Sequence, residues 1–215
     1  VYSGEKKLEK AGLQISEEAA LELRGQDHPW VSRGGLKLTH GLAEFNLSTK
    51  DCICMDVGSS TGGFTDVMLQ NGATRVYAVD VGRGQLAWKL RSDDRVVVLE
   101  KTNARHLTSK IIPDPLDFIS CDASFIGLKT LLPASLELAQ PGAHLLSLIK
   151  PQFEVARHEV GKKGVVRDPE LHKFVCDTIK IWLDGLPDWT VLGLTQSPIK
   201  GPEGNIEFLI AAHKS

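Results

Sequence analysis

The sequence predicts an α/β fold built on a Rossmann-like, mostly parallel β-sheet, with helices on both faces and an antiparallel hairpin at its C-terminal end. Three observations lead there. Short, nearly continuous apolar runs alternate with helix-patterned stretches between residues 52 and 185. The alternation then breaks: runs 189–196 and 205–212 both read as strands, separated only by Ser197-Pro198-Ile199-Lys200-Gly201-Pro202-Glu203-Gly204. That connection is too short for a crossover helix, so these two strands must be antiparallel. Finally, 215 residues with 42% hydrophobic and 24% charged side chains leave room for one such domain and a short appendage.

The appendage is residues 1–29, charged, roughly balanced and too short to hold a core alone. Within it, Ala11-Gly12-Leu13-Gln14-Ile15 and Asp27-His28-Pro29 read as turns between short strands, as in the tail of a small domain whose beginning is absent. The main domain then runs over residues 30–215. A basic-polar helix is expected across 33–46, with Leu36, Leu38, Leu42 and Phe45 on its apolar face. Strands follow at 52–57, 75–80, 95–99, 116–122 and 144–150, with helices over 62–71, 127–139 and 169–185. The last helix has a clean start, with Asp168 as N-cap and Pro169 in the first turn.

Composition narrows the function. No apolar run approaches the roughly 18 residues needed to span a bilayer. Val1-Tyr2-Ser3-Gly4-Glu5-Lys6-Lys7 lacks the apolar core of a signal peptide, so a cytoplasmic protein without stable membrane association is expected. The four cysteines, Cys52, Cys54, Cys121 and Cys176, show no CxxC spacing, and no metal site is expected. Cys52 and Cys54 alternate within a strand pattern and are expected in the core. The net charge of −2 gives no basic footprint, so any RNA-binding charge must be local or lie outside this chain.

In open α/β sheets ligands bind beyond the carboxyl ends of the strands. The first strand runs into Asp56-Val57-Gly58-Ser59-Ser60-Thr61-Gly62-Gly63-Phe64-Thr65, whose glycines permit tight turning ahead of a helix N-terminus. Their spacing is not G-x-G-x-x-G, which argues against pyrophosphate. Asp80 ends the second strand, where an acid can bind ribose hydroxyls, and Asn103 follows the third, placed for an adenine edge. Asp122 ends the fourth and Lys150 the fifth. One acid at a strand end is often only a helix cap. The four together favour an adenosyl cofactor without pyrophosphate, for which S-adenosylmethionine is the natural candidate, and the terminal hairpin fits the seven-stranded methyltransferase variant of the fold.

Five blocks then carry a resemblance: Ser32-Arg33-Gly34-Gly35-Leu36-Lys37-Leu38, the glycine loop 56–64, Cys121-Asp122-Ala123-Ser124-Phe125, Lys150-Pro151-Gln152-Phe153-Glu154 and Gly164-Val165-Val166-Arg167-Asp168-Pro169. In this order they resemble the TlyA family, bacterial proteins also called hemolysin A, which belong to the FtsJ-like ribose methyltransferases. The likeness runs from about Trp30 to the C-terminus, and residues 1–29 resemble the second half of an S4 RNA-binding domain. The resemblance implies methylation of a ribose 2′-hydroxyl in ribosomal RNA, typically of cytidine, with ribosomal RNA or ribosomal subunits as partners. It also implies a catalytic tetrad, Lys37, Asp122, Lys150 and Glu207, each present here. Cofactor contacts carry over to Gly58, Ser59, Ser60, Gly62, Gly63, Phe64, Asp80, Asn103 and Asp122.

The chemistry is consistent with such a tetrad. A sulfonium methyl is already activated, so the enzyme must align the acceptor and manage one proton. Lys150 is the choice for that proton, oriented by Asp122 and Glu207, while Lys37 holds the acceptor ribose or an adjacent phosphate. Residues 153–167 are too long for a minimal turn and are expected to form a mobile substrate-side loop. There Arg157, Lys162, Lys163 and Arg167, together with Arg33, could supply the local basic face for RNA. Three rivals are an RNA-binding protein that has lost catalysis, a membrane-active hemolysin, and a nicotinamide-dependent oxidoreductase. The intact tetrad, the absence of a membrane-active segment and the glycine spacing count against them in turn.

Overall fold

The computed structural model describes residues 2–8, 15, 16, 18–22 and 28–215. At the N-terminal end three two-residue strands, β1 (Tyr2–Ser3), β2 (Lys6–Lys7) and β3 (Leu21–Glu22), pair antiparallel with β1 in the centre. The turn expected at Ala11-Gly12-Leu13-Gln14 and its counterpart at Asp27 lie outside the described residues.

The main domain follows as α1 (Gly34–Glu44), β4 (Ile53–Val57), α2 (Gly63–Gln70), β5 (Arg75–Val79), α3 (Trp88–Arg91) and β6 (Val96–Leu99). Then come β7 (Leu116–Cys121), α4 (Leu128–Leu131), α5 (Pro133–Glu137), β8 (Ala139–Ile149), α6 (Pro169–Asp184), β9 (Trp189–Gln196) and β10 (Phe208–Lys214). Seven strands form one sheet in the order β6-β5-β4-β7-β8-β10-β9. The first five are parallel, while β10 runs antiparallel to both β8 and β9. The chain therefore goes outward from β4 to β6 and returns to β7 on the other side. That reversal puts a crevice between the carboxyl ends of β4 and β7, the place where such sheets bind ligands.

Each face of the sheet has its own core. On one face Leu38, Leu42, Val67 and Met68 of α1 and α2 pack on Cys54, Phe118, Leu146 and Leu209. On the other, Val175, Ile179 and Leu183 of α6 pack with Leu131 and Leu132 on Met55, Ile119, Leu145 and Ile210. Alternate residues of each strand thus serve opposite cores, which is why the strands read as unbroken apolar runs.

Four local departures from the sequence reading have physical reasons. The helix expected over 127–139 is two helices, because Pro133 cannot continue α4 and instead opens α5. Strand β8 starts five residues before the expected 144, with a register shift opposite Leu116 and Phe118 that leaves Pro141 and Gly142 exposed. Strand β10 starts at Phe208 rather than 205, since Asn205 is used elsewhere: it accepts from Val166 N–H and donates to the Gly164 carbonyl. Cys54 is fully buried but Cys52 only half-buried, its thiol lying near the Ser48 and Lys50 carbonyls at the strand's entry. Asp168 caps α6 as expected, accepting from Glu170 N–H. Among the described residues no helix is long and apolar enough to cross a membrane.

Candidate active site

Two clefts open side by side at the carboxyl ends of the strands. One, of about 480 Å³, is lined by Val57 and Gly58 after β4, Val79 to Gly82 after β5, Thr102 to Arg105 after β6, and 122–126 after β7. The other, of about 340 Å³, is lined by Arg33, Gly34 and Lys37 of the α1 start, the glycine loop, Lys150, and Ile199, Lys200 and Pro202. They share Gly58, Ser60, Asp122 and Ser124, so these four residues form the seam between them.

The glycine loop is pinned from below by Asp56. This carboxylate is fully buried and accepts from Thr65 N–H (2.9 Å), Thr65 Oγ1 (2.7 Å) and Ser120 Oγ (3.2 Å). Burial, in spite of those bonds, pushes its pKa up from 3.8 to about 7. Gly58 takes φ +81, and a Cβ there would lie 2.9 Å from Ala123 Cα, so only glycine lets β4 and β7 approach this closely. At Gly63 a Cβ would meet Ser32 Oγ at 2.3 Å and Gly35 N at 3.0 Å. The first turns of α1 and α2 therefore touch, which brings Lys37 to the seam.

Asp80 Oδ2 accepts from Ser60 N–H (2.8 Å) and Oδ1 from Gly82 N–H (2.6 Å). Each oxygen keeps one lone pair for a hydroxyl. Asn103 Oδ1 caps the turn 104–106 by accepting from Arg105 N–H, leaving its amide as the donor. Val79, Val81, Ala104, Ile126 and Leu131 supply apolar walls. A cleft of this volume with apolar walls and a carboxylate that keeps acceptor capacity at Asp80 fits an adenosyl cofactor. Of the residues expected at the cofactor, Gly58, Ser60, Asp80, Asn103 and Asp122 line this cleft. Ser59, Gly63 and Phe64 lie on the other side of the seam, and Gly62 packs against Leu86 and Leu90.

The tetrad residues come together as a chain of alternating charge. Glu207 Oε2 accepts from Lys37 Nζ at 2.6 Å, Lys37 Nζ is 3.5 Å from Asp122 Oδ2, and Asp122 Oδ1 is 2.6 Å from Lys150 Nζ. Lys37, Lys150 and Glu207 are 7%, 8% and 1% exposed. The geometry corrects one expectation: Glu207 orients Lys37, and Lys150 is held by Asp122 and by Ser124 Oγ (3.0 Å). Such a cluster stands buried because each charge has an opposite neighbour.

Arg33 lines the second cleft and is exposed. Arg157, Lys162, Lys163 and Arg167 are exposed on the segment after Lys150 but do not line it. That segment contains short 3-10 turns at 151–153, 157–159 and 162–164, and its end is fastened through Asn205 and through His172 to the Val166 carbonyl. Sequence reasoning missed Lys200, which sits in what looked like a bare strand connection, and Ser124, which lay inside a quoted block without a role. Among the described residues no group of three or more His, Cys, Asp or Glu could hold a metal ion. Burial raises the thiol pKa of Cys54 and Cys121, which are core residues.

These features define the class: the chain belongs to the FtsJ-like methyltransferase family, which it matches over residues 30–214. It is 50% identical to a Bacillus subtilis protein provisionally named rRNA methyltransferase YqxC, over 99% of this chain and 76% of that one. It is 44% identical to the 16S/23S rRNA (cytidine-2'-O)-methyltransferase TlyA of Mycobacterium tuberculosis, over 94% of this chain and 75% of the relative. Among solved structures, a protein of Streptococcus thermophilus provisionally described as a hemolysin superposes with a TM-score of 0.84 at 48% identity, covering 92% of this chain and 71% of that one.

Proposed function

We propose that this chain transfers the methyl group of S-adenosylmethionine to the 2′-hydroxyl of a ribose in ribosomal RNA, the ribose being that of a cytidine. The observation that carries the reading is the junction at Asp122, where a cofactor-sized cleft meets a second cleft across a buried chain of paired charges. Family membership and the named activity of the TlyA relative support the same reaction.

The cofactor, when bound, supplies a methyl on a positively charged sulfur. The rest falls to the protein. Asp80 and Asn103 hold the nucleoside end in the first cleft, and the acceptor ribose enters the second. Lys37 spends two N–H donors on Glu207 and Asp122, which leaves a third for the acceptor. Lys150, having first given its own proton to water, takes up the hydroxyl proton, and Asp122 then stabilises the ammonium so formed. Arg33 and Lys200 at the second cleft, with Arg157, Lys162, Lys163 and Arg167 exposed on the flanking segment, contact phosphates. Residues 1–29 belong to an S4-like RNA-binding unit, and the protein works in the cytoplasm, where ribosomes are assembled.

The test is incubation of the chain with methyl-labelled cofactor and ribosomal subunits, followed by digestion to nucleosides. Label in 2′-O-methylcytidine is the expected result. Label on a base, or none, overturns the proposal.

A further inference from the structure

We infer that Ser124 is a positioning residue for the transfer, its hydroxyl fixing the direction in which Lys150 faces the acceptor. The inference rests on the role of Lys150 proposed above. Three oxygens surround Lys150 Nζ: Asp122 Oδ1 at 2.6 Å, Ser124 Oγ at 3.0 Å and the Asp122 carbonyl at 3.4 Å. The first is a close ion contact in which Oδ1 has no aligned hydrogen bond, and the carbonyl is distant. Of the three, the contacts to Ser124 and to the Asp122 carbonyl have hydrogen-bond geometry, and the one to Ser124 is the shorter. An ion contact fixes distance but tolerates rotation, whereas a hydrogen bond weakens steeply with angle. Orientation therefore comes from the serine.

The surroundings of this bond are built to hold it. The residue after Ser124, Phe125, has φ +68, a conformation costly for a non-glycine residue and kept only where neighbours impose it. Its ring, although 89% exposed, lies 5.1 Å from that of Phe153, three residues beyond Lys150. Glu154 Oε1 accepts from Leu128 N–H at 2.8 Å. Two ties thus join the segment bearing Ser124 to the segment bearing Lys150. Ser60, the other hydroxyl at the seam, is bonded to Gln85 Oε1 (3.1 Å).

A hydroxyl is also suited to a partner that changes protonation. Carboxylate and carbonyl oxygens only accept, so they hold an ammonium but give nothing to an amine lone pair. A serine hydroxyl accepts from the first and donates to the second. Ser124 thereby stays bonded to Lys150 on both sides of the proton transfer.

The experiment measures single-turnover methyl transfer to ribosomal subunits by the full chain carrying Ser124→Ala, Ser124→Cys or Ser124→Thr, across pH and at several cofactor concentrations. Cysteine keeps the size of serine with a poor hydrogen bond, so it controls for packing. Ala and Cys are expected to lower the saturating rate about 10- to 100-fold and displace the pH–rate profile, with KM for the cofactor changed less than about threefold. Thr is expected to retain most of the rate. A wild-type rate and pH profile for Ser124→Ala and Ser124→Cys would overturn the inference, as would a loss confined to cofactor affinity. Lys150→Ala, run alongside, separates the two levels. If it is inactive while Ser124→Ala is normal, only the role of Ser124 fails; if it is active, the reading beneath it fails too.

Discussion

The two clefts are made from one sheet by different means. In the cleft proposed for the cofactor each polar group comes after its own strand: the glycine loop after β4, Asp80 after β5, Asn103 after β6, Asp122 after β7. In the cleft proposed for the acceptor, Lys37 on α1 meets Asp122 across 85 residues of sequence and Glu207 across 170. The first region is a set of separate contacts along a row of strand ends. The second is a buried network in which each member neutralises the next. Damage to the first should remain a matter of ligand affinity, whereas damage to the second should reach both the chemistry and the fold.

The largest effect is expected at Lys150. Lys150→Ala should lower single-turnover methyl transfer by about 100-fold or more, while calorimetry finds cofactor affinity nearly unchanged. Glu207→Ala should come next and show the network character of the site. It leaves Lys37 buried with only the 3.5 Å contact to Asp122, and loss of one partner of a buried pair costs about 3–5 kcal/mol. Thermal melting should register this as a drop of roughly 10 °C. The double replacement Lys37→Met with Glu207→Leu removes both charges and should recover most of that stability without recovering activity. If it recovers none, the two charges do not stabilise each other as a network.

In the cofactor cleft, Asp80→Ala should weaken cofactor binding by about 10- to 100-fold, the worth of one or two bonds to a charged acceptor, with the rate restored at high cofactor concentration. The remaining effect is on stability alone and concerns Asp56. Its pKa is raised in the folded protein, from 3.8 to about 7, so the folded state holds a proton that the unfolded state has already released. Stability should then fall as pH rises from 4 to 7, by about 1 kcal/mol per unit, and level off above 7. Denaturant melts at several pH values should show this slope in the wild type and its loss in Asp56→Asn.

The same contrast decides what the sequence revealed. Parallel strands buried on both faces produce apolar runs, and polar residues at their ends stand out, so Asp80, Asn103, Asp122 and Lys150 are legible in the pattern of residues alone. The terminal hairpin is legible because eight residues cannot cross a sheet. Lys37 and Glu207 cannot be read this way. A lysine within a helix and a glutamate before a strand look like surface charges until folding buries them against each other, and only the resemblance to a family pointed to them. Ser124 and Lys200 escaped because a hydroxyl and a loop lysine carry no periodic signature. The pairing of Glu207 with Lys37, in place of the expected Lys150, depends on which side of β10's entry faces α1, a matter of packing that no local pattern encodes.

The most direct test of the division between the clefts is a cofactor titration of the single-turnover rate for Asp80→Ala and Lys150→Ala side by side. Asp80→Ala should climb to near the wild-type plateau at high cofactor, and Lys150→Ala should saturate normally at a plateau lower by about 100-fold or more. A depressed plateau for Asp80→Ala, or a normal one for Lys150→Ala, would contradict that division.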